Sequence, residues 1–307
     1  MKNNYDALII GCGPAGMGAA LALKAANVDF AIIEKDAPGG KVNIAPRVDN
    51  YPRQAPIPGS DLAVLLFKRI IDNNIEMIPD EVLSLTKEGE LFHLTTKFSG
   101  ELTAKTVLLA VGTKERRLGL PHEDEMLGHG LSYCAVCDGH FFKDQDVLVV
   151  GGGNVALKET IYLSKLARKV YLVHRRNEFR GELKYVNEVK ELPNVEIITP
   201  YIPLEIICDD KVRAIKLQNR EDGSEKTVEV QGFFPLVGQD PNSGFVNIEN
   251  VKDDRGTIPY VSIKTMETGC KNLFVAGDVT PRDLRQIYLA EHDGMVAAKS
   301  MIEVLKN

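Results

Sequence analysis

One short pattern occurs twice in this chain, 140 positions apart (151 − 11), and it leaves little freedom in the fold. An apolar run, Ala7 to Ile10, leads into Gly11-Cys12-Gly13-Pro14-Ala15-Gly16, and a second, Val147 to Val150, leads into Gly151-Gly152-Gly153-Asn154-Val155-Ala156. Each reads as a strand, a tight glycine turn and the start of a helix, the arrangement that holds a dinucleotide pyrophosphate. In the first copy Gly11 permits the turn, Gly13 lets the backbone approach a phosphate, and Gly16 lets helix and strand pack closely. The helix start supplies N–H donors and the positive end of a dipole. Helices over about 14–26 and 155–167, followed by second strands at Phe30 to Ile33 and Val170 to Val173, complete two β-α-β units.

The repeat extends further. Val107 to Gly112 resembles Gly232 to Gly238, each a buried strand running into a glycine turn, with Gly112 and Gly238 at the ends. Before each, Glu81 to Thr106 and Leu204 to Val230 alternate apolar and polar residues around turn formers such as Gly89, Ser99-Gly100 and Asp222-Gly223, as antiparallel meanders do. The last segment holds a strand at Leu273 to Ala276, then Gly277-Asp278 and a long helical pattern ending in Leu305, which reads as a return to the first unit. The expected class is therefore α/β, with two Rossmann-like three-layer nucleotide-binding domains, the second inserted in the first. The first domain is expected over 1–115 and 243–307 and the second over 116–242, with turn chemistry for a hinge pair at Gly119-Leu120-Pro121 and Asp240-Pro241-Asn242-Ser243-Gly244.

The two units differ where the ribose should lie, 23 positions past the first glycine (34 − 11 and 174 − 151). Glu34 ends the second strand of the first unit, and a carboxylate there accepts hydrogen bonds from ribose hydroxyls. The second unit has His174-Arg175-Arg176 instead, with Arg180 following. Guanidinium groups grip a 2′-phosphate that a carboxylate would repel, so this unit should prefer NADPH to NADH.

Between the two fingerprints, just before the second β-α-β unit, lies Cys134-Ala135-Val136-Cys137-Asp138. The chain's five cysteines are too few and too uneven for a secreted disulfide framework. A zinc site would need two further ligands, and no second Cys-x-x-Cys or Cys/His pair is suitably spaced, so no metal is expected. A purely structural pair remains open. A redox pair is favoured, because a two-residue spacer lets one thiolate attack while the other resolves, and Asp138 could carry protons. Cys12, Cys208 and Cys270 lack such neighbours and read as bystanders. A formal charge of −6 argues against nucleic acid, and no apolar run approaches the ~20 residues that cross a bilayer. The start of the chain has none of the marks of a signal peptide, so a cytoplasmic protein is expected.

With these residues in view, the chain resembles the low-molecular-weight thioredoxin reductases of the pyridine nucleotide disulfide oxidoreductase superfamily nearly end to end. The resemblance also rests on Gly39-Gly40 with Asp49-Asn50-Tyr51-Pro52, on Ser132 to Gly139, on Phe179-Arg180, and on Gly277-Asp278 with Arg285-Gln286. It implies FAD held by Gly11, Gly13, Pro14, Ala15, Gly16, Glu34, Gly40, Asn50, Gly112, Gly277, Asp278, Arg285 and Gln286. It implies NADPH held by Gly151, Gly153, Asn154, Val155, Ala156, His174, Arg175, Arg176 and Arg180. Hydride would reduce the flavin, the flavin the Cys134–Cys137 disulfide, and the dithiol an oxidised thioredoxin, with Cys137 facing the flavin, Cys134 attacking the partner and Asp138 as general acid/base. A homodimer, and a rotation of one domain against the other about the two crossings, are implied in the same way.

The chain departs from the usual pattern at Lys41, Arg53, Val155, Lys158, Ile287 and Glu291-His292, and keeps the second acid of a Glu-Glu pair as Glu159. An alternative is a flavoprotein that keeps the Cys pair but takes electrons from another donor, such as reduced ferredoxin, or runs as a dithiol oxidase. The Arg cluster argues against it. An NADPH:ferredoxin reductase of the same shape would lack the Cys pair, and a module that holds nucleotide without turnover would need neither.

Overall fold

A computed structural model describes residues 2–45, 47–282 and 284–306. The chain divides into two compact units, Met1–Lys114 with Asp240–Asn307, and Glu115–Gln239. In the first unit the chain runs through β1 (Asn4–Ile10), α1 (Pro14–Ala25), β2 (Phe30–Glu34), α2 (Gly59–Asp72), β3 (Met77–Pro79), β4 (Val82–Glu88), β5 (Leu91–Thr96) and β6 (Glu101–Leu109), and leaves through β7 (Thr113–Glu115). The second unit holds α3 (Ala135–Asp138), β8 (Asp146–Val150), α4 (Asn154–Ser164), β9 (Lys169–Val173), α5 (Leu183–Glu191) and β10 (Val195–Ile198). After these come β11 (Tyr201–Cys208), β12 (Val212–Asn219), β13 (Glu225–Glu229) and β14 (Gly232–Pro235). The chain crosses back through β15 (Gln239–Pro241), paired with β7, and ends in β16 (Leu273–Val275) and α6 (Ile287–Lys306).

Both units are three-layered, and the period-2 alternation of their central strands shows why. In the first, β1 is parallel to β2 and β6, with Ile9 opposite Ile32 and Leu108. Ile9, Ile32 and Leu108 face a helical layer that supplies Leu23 from α1, Leu66 and Ile70 from α2 and Met301 from α6. The intervening Leu8, Ile10, Ile33, Val107 and Leu109 face the other way, against Phe92, Leu94, Val246 and Ile258. A strand apolar on both faces can only sit inside such a sandwich. The second unit repeats the plan with the all-parallel order β10-β9-β8-β14. Val149 and Leu172 meet α4 and α5 on one face, while Leu148 and Val173 meet the separate antiparallel sheet β11-β12-β13 on the other.

The expected strands and helices form, with two differences of detail. The buried strand expected at Val107 to Gly112 is the second half of β6, whose first half closes the meander. One edge of β6 runs along β1, while its other edge pairs with β5 at residues 101–104 and with β16 at 107–109. In the second unit these jobs fall to two strands, β13 and β14. The helix expected to reach Ala167 stops at Ser164, with Lys165, Leu166 and Ala167 closing a tight exit turn on Tyr162 and Leu163 carbonyls.

Candidate active site

In the first unit the residues of the glycine pattern close around one turn. Gly11 has φ +103°, and a Cβ there would lie 2.4 Å from the Ala110 carbonyl oxygen, so the loop passes directly over the end of β6. A Cβ on Gly16 would come within 1.9 Å of the Gly11 carbonyl oxygen, so α1 can seat on β1 only without a side chain there. Gly13, by contrast, faces open space, and the site of a Cβ on Gly40 lies 3.6 Å from its Cα. Helix α1 opens with Pro14 and no side-chain cap, which leaves first-turn N–H groups for an anion. Glu34 lies across the loop, accepting from the Cys12 N–H at 2.7 Å and the Asp36 N–H at 2.9 Å. These features fit a dinucleotide: an uncapped helix start, an open glycine face, and a carboxylate held at the end of β2.

The C-terminal segment returns to the same place. Gly277 packs beside Ala15, with 3.1 Å between the Ala15 Cβ and the site of a Cβ on Gly277, and a Cβ on Gly294 of α6 would lie 1.8 Å from the Ala15 carbonyl oxygen. Gly277, Asp278, Arg282, Arg285 and Gln286 line one concavity. Buried Asp293 on α6 pairs with Arg282 at 2.7 Å; desolvation pushes its carboxyl up, against the pull of Arg282 and the Gly277 N–H. The Asn50 amide donates to the Gln286 side-chain oxygen at 2.7 Å, joining two residues 236 positions apart in sequence.

Two departures from the family pattern gain roles here. Lys41 donates to the Thr113 hydroxyl at 2.7 Å and stands 3.7 Å from the Asp278 carboxylate, which it neutralises. Glu291 accepts from the Tyr51 hydroxyl at 2.8 Å and from Arg69 at 2.9 Å, pinning the loop that carries Asn50 to both α6 and α2. Burial, then the Glu291 carboxylate, pushes the Tyr51 hydroxyl up to about 12. Neither Tyr51 nor Arg69 carried a role in sequence, because an ion pair spanning 222 positions leaves no local signal.

The second unit builds its loop differently. A Cβ on Gly152 would lie 2.3 Å from the His174 ring, so the imidazole sits directly under the loop. His174 is buried, stacked on Phe179 at 5.3 Å, and its Nε2 makes no hydrogen bond among the described residues. Burial pulls its pKa down, and the positive field of Arg180, Arg175 and Arg176 adds to that against a hydrogen bond involving the Glu178 backbone. His174 is thus placed to support the loop, while the three arginines are exposed around it. The Arg180 and Gly181 N–H groups both donate to the Gly152 carbonyl, which straps the arginine segment across the loop. Asn154 and Glu182 exchange hydrogen bonds at 2.8 and 2.9 Å, and Gly153 is open. Val155 is 46% exposed at the helix start, and Lys158 lies 5.0 Å from the centre of the Tyr185 ring.

Cys134 and Cys137 form a disulfide, as a redox-active pair does in its oxidised state and a structural pair would also do. Cys134 caps α3, and its Sγ accepts from the Cys137 N–H at 3.2 Å. Cys137 is exposed and Cys134 partly buried. Asp138 accepts from the Ser132 hydroxyl at 2.6 Å, and the same hydroxyl oxygen accepts from the Cys134 N–H at 3.1 Å. Ser132, buried and unremarked as a side chain in sequence, therefore links the acid to the backbone of the first cysteine. Cys12 is buried beneath the first loop, where desolvation and Glu34 push its thiol up to about 12, the property of an inert sulfur.

A family model for pyridine nucleotide-disulphide oxidoreductases matches residues 5–294. The thioredoxin reductase of Mycoplasma pneumoniae is 39% identical over 302 residues, covering 98% of this chain and 95% of that protein. That of Listeria monocytogenes is 38% identical over 307 residues, with the same two coverages. A solved thioredoxin reductase from Streptococcus pyogenes, 38% identical, superposes with a TM-score of 0.92 over 100% of this chain and 99% of that one. The chain belongs to the pyridine nucleotide-disulphide oxidoreductases and, within them, to the thioredoxin reductases. It is an oxidoreductase whose cofactors are a flavin and a nicotinamide nucleotide. No helix among the described residues is long and apolar enough to cross a membrane.

Proposed function

We propose that the chain is an NADPH-dependent thioredoxin reductase in which Met1–Lys114 with Asp240–Asn307 holds FAD, Glu115–Gln239 holds NADPH, and the Cys134–Cys137 disulfide passes electrons to thioredoxin. The observation that carries this reading is the joint presence of two glycine loops of opposite charge and one disulfide at a helix start. When bound, the nicotinamide supplies a hydride and the flavin relays its two electrons to the disulfide. Glu34 would take the ribose of FAD, Gly11 to Gly16 its pyrophosphate, and Asp278 with Lys41 the polar chain leading to the ring. Asn50, Gln286 and the start of α6 would orient the ring's polar edge. Arg175, Arg176 and Arg180 would clamp the 2′-phosphate of NADPH, above a loop that His174 supports. Asp138, held by Ser132, would give and take the proton at sulfur, Cys137 would meet the flavin, and Cys134 would attack the partner's disulfide. A homodimer in the cytoplasm completes the reading.

An anaerobic titration tests it. The purified protein should be yellow with one FAD per chain, bleach with NADPH much faster than with NADH, and regain its colour when oxidised thioredoxin is added. Colour that NADPH leaves untouched and reduced ferredoxin bleaches would favour the alternative donor.

A further inference from the structure

The first N–H of the redox helix points at a side chain whose role the activity above does not use. Ala135 N donates to Glu159 Oε2 at 2.6 Å, a short charge-assisted bond from the residue after Cys134 to the middle of α4. The donors at the start of α3 are thus divided, the Ala135 N–H to Glu159 and the Cys137 N–H to the Cys134 sulfur. Those donors are what a Cys134 thiolate would draw on once the disulfide opens. We propose that Glu159 is a positioning residue for the Cys pair: its carboxyl group fixes the start of α3 and, through its charge, sets how readily Cys134 ionises.

The surroundings make that charge variable. Glu159 is partly buried, and desolvation pushes its carboxyl up to about 7, opposed by the Ala135 N–H and reinforced by the negative charges of Glu115 and Asp138. These two carboxylates reach it from the end of β7 and from α3 itself. Reduction breaks the Sγ–Sγ bond, adds two electrons and takes up two protons to give two thiols. Loss of one proton to solvent from Cys134 then gives the attacking thiolate. An ionised Glu159 opposes that loss and a neutral one does not, so the two groups titrate as a pair.

The inference rests on the Cys pair being the redox centre, and its test is independent of turnover. In FAD-loaded full-length Cys137→Ser protein, alkylation of Cys134 by iodoacetamide would be followed from pH 5.5 to 9 by peptide mass spectrometry, with and without Glu159→Gln. The glutamine keeps an oxygen for the Ala135 N–H and removes the charge. Its midpoint should fall by about one pH unit and follow a single-proton curve, while the parent curve is broadened and meets it on the acid side, where Glu159 is protonated. Superimposable curves would overturn the proposal. Glu159→Ala, which also loses the hydrogen bond, should lower the midpoint and in addition raise amide exchange across α3; exchange equal to that of the glutamine variant would remove the positioning half. A flavin-loaded protein whose parent disulfide NADPH does not reduce would fail the proposed function and leave the alkylation curves readable.

Discussion

The two units share a plan but seat their helices on their glycine loops by different means. In the first, position six of the fingerprint is Gly16, and a Cβ there would lie 1.9 Å from the Gly11 carbonyl oxygen. In the second it is Ala156, buried with 1% exposure, and the loop has shifted so that Gly151 carries the constraint: a Cβ on Gly151 would lie 2.5 Å from that of Ala156. The ribose ends differ in the same spirit. Glu34 is tied down by two backbone N–H groups, whereas Arg175, Arg176 and Arg180 stand exposed above a buried imidazole. The acid of the first loop is fixed by backbone, while the cations of the second stand free of the loop. The proposed assignment, a resident flavin on the first loop and an exchanging nicotinamide nucleotide on the second, would use that difference.

Substitutions can break that comparison. Gly16→Ala should be the most damaging, because the clash is with backbone that cannot turn aside; about 3 kcal/mol or more of stability is expected to go, read by denaturant unfolding, together with most of the bound FAD. The paired change Arg175→Ala and Arg176→Ala should leave folding and flavin content alone and narrow the preference for NADPH over NADH at least about tenfold, since each charge-assisted phosphate bond contributes about 1.5 to 3 kcal/mol. Unchanged preference in that protein would remove the assignment of the second loop. Ala156→Gly should be mildest, costing about 1 kcal/mol as an ordinary helix glycine, with flavin retained. If it proved as harmful as Gly16→Ala, the two loops would not differ as described.

Much of this was legible in the sequence because it is local. Strand, glycine turn, helix and the residue at the end of the next strand lie within about thirty positions, and period-2 and helical patterns speak for themselves over that span. The disulfide was legible for the same reason, Cys134 and Cys137 being three apart. What could not be read is what the return of the chain creates. The Asn50–Gln286 bond, the Tyr51–Glu291–Arg69 clamp and the ion pair of Lys41 with Asp278 each join segments more than 200 positions apart. The dual use of β6 was hidden too, since a strand that pairs with β5 and β16 along one edge looks in sequence like two strands. His174 was grouped with the arginines because it adjoins them, yet burial turns it inward beneath Gly152.

The central claim is that electrons leave through Cys134 to a thioredoxin, and trapping tests it most directly. Reduced Cys137→Ser protein, mixed with a thioredoxin disulfide-activated at its attacking cysteine and lacking its resolving one, should form a covalent one-to-one complex through Cys134, released by dithiothreitol. Reduced Cys134→Ser protein should form little. A complex that forms equally well through Cys137 alone would reverse the assigned order of the pair, and no complex from either variant would contradict thioredoxin as the acceptor.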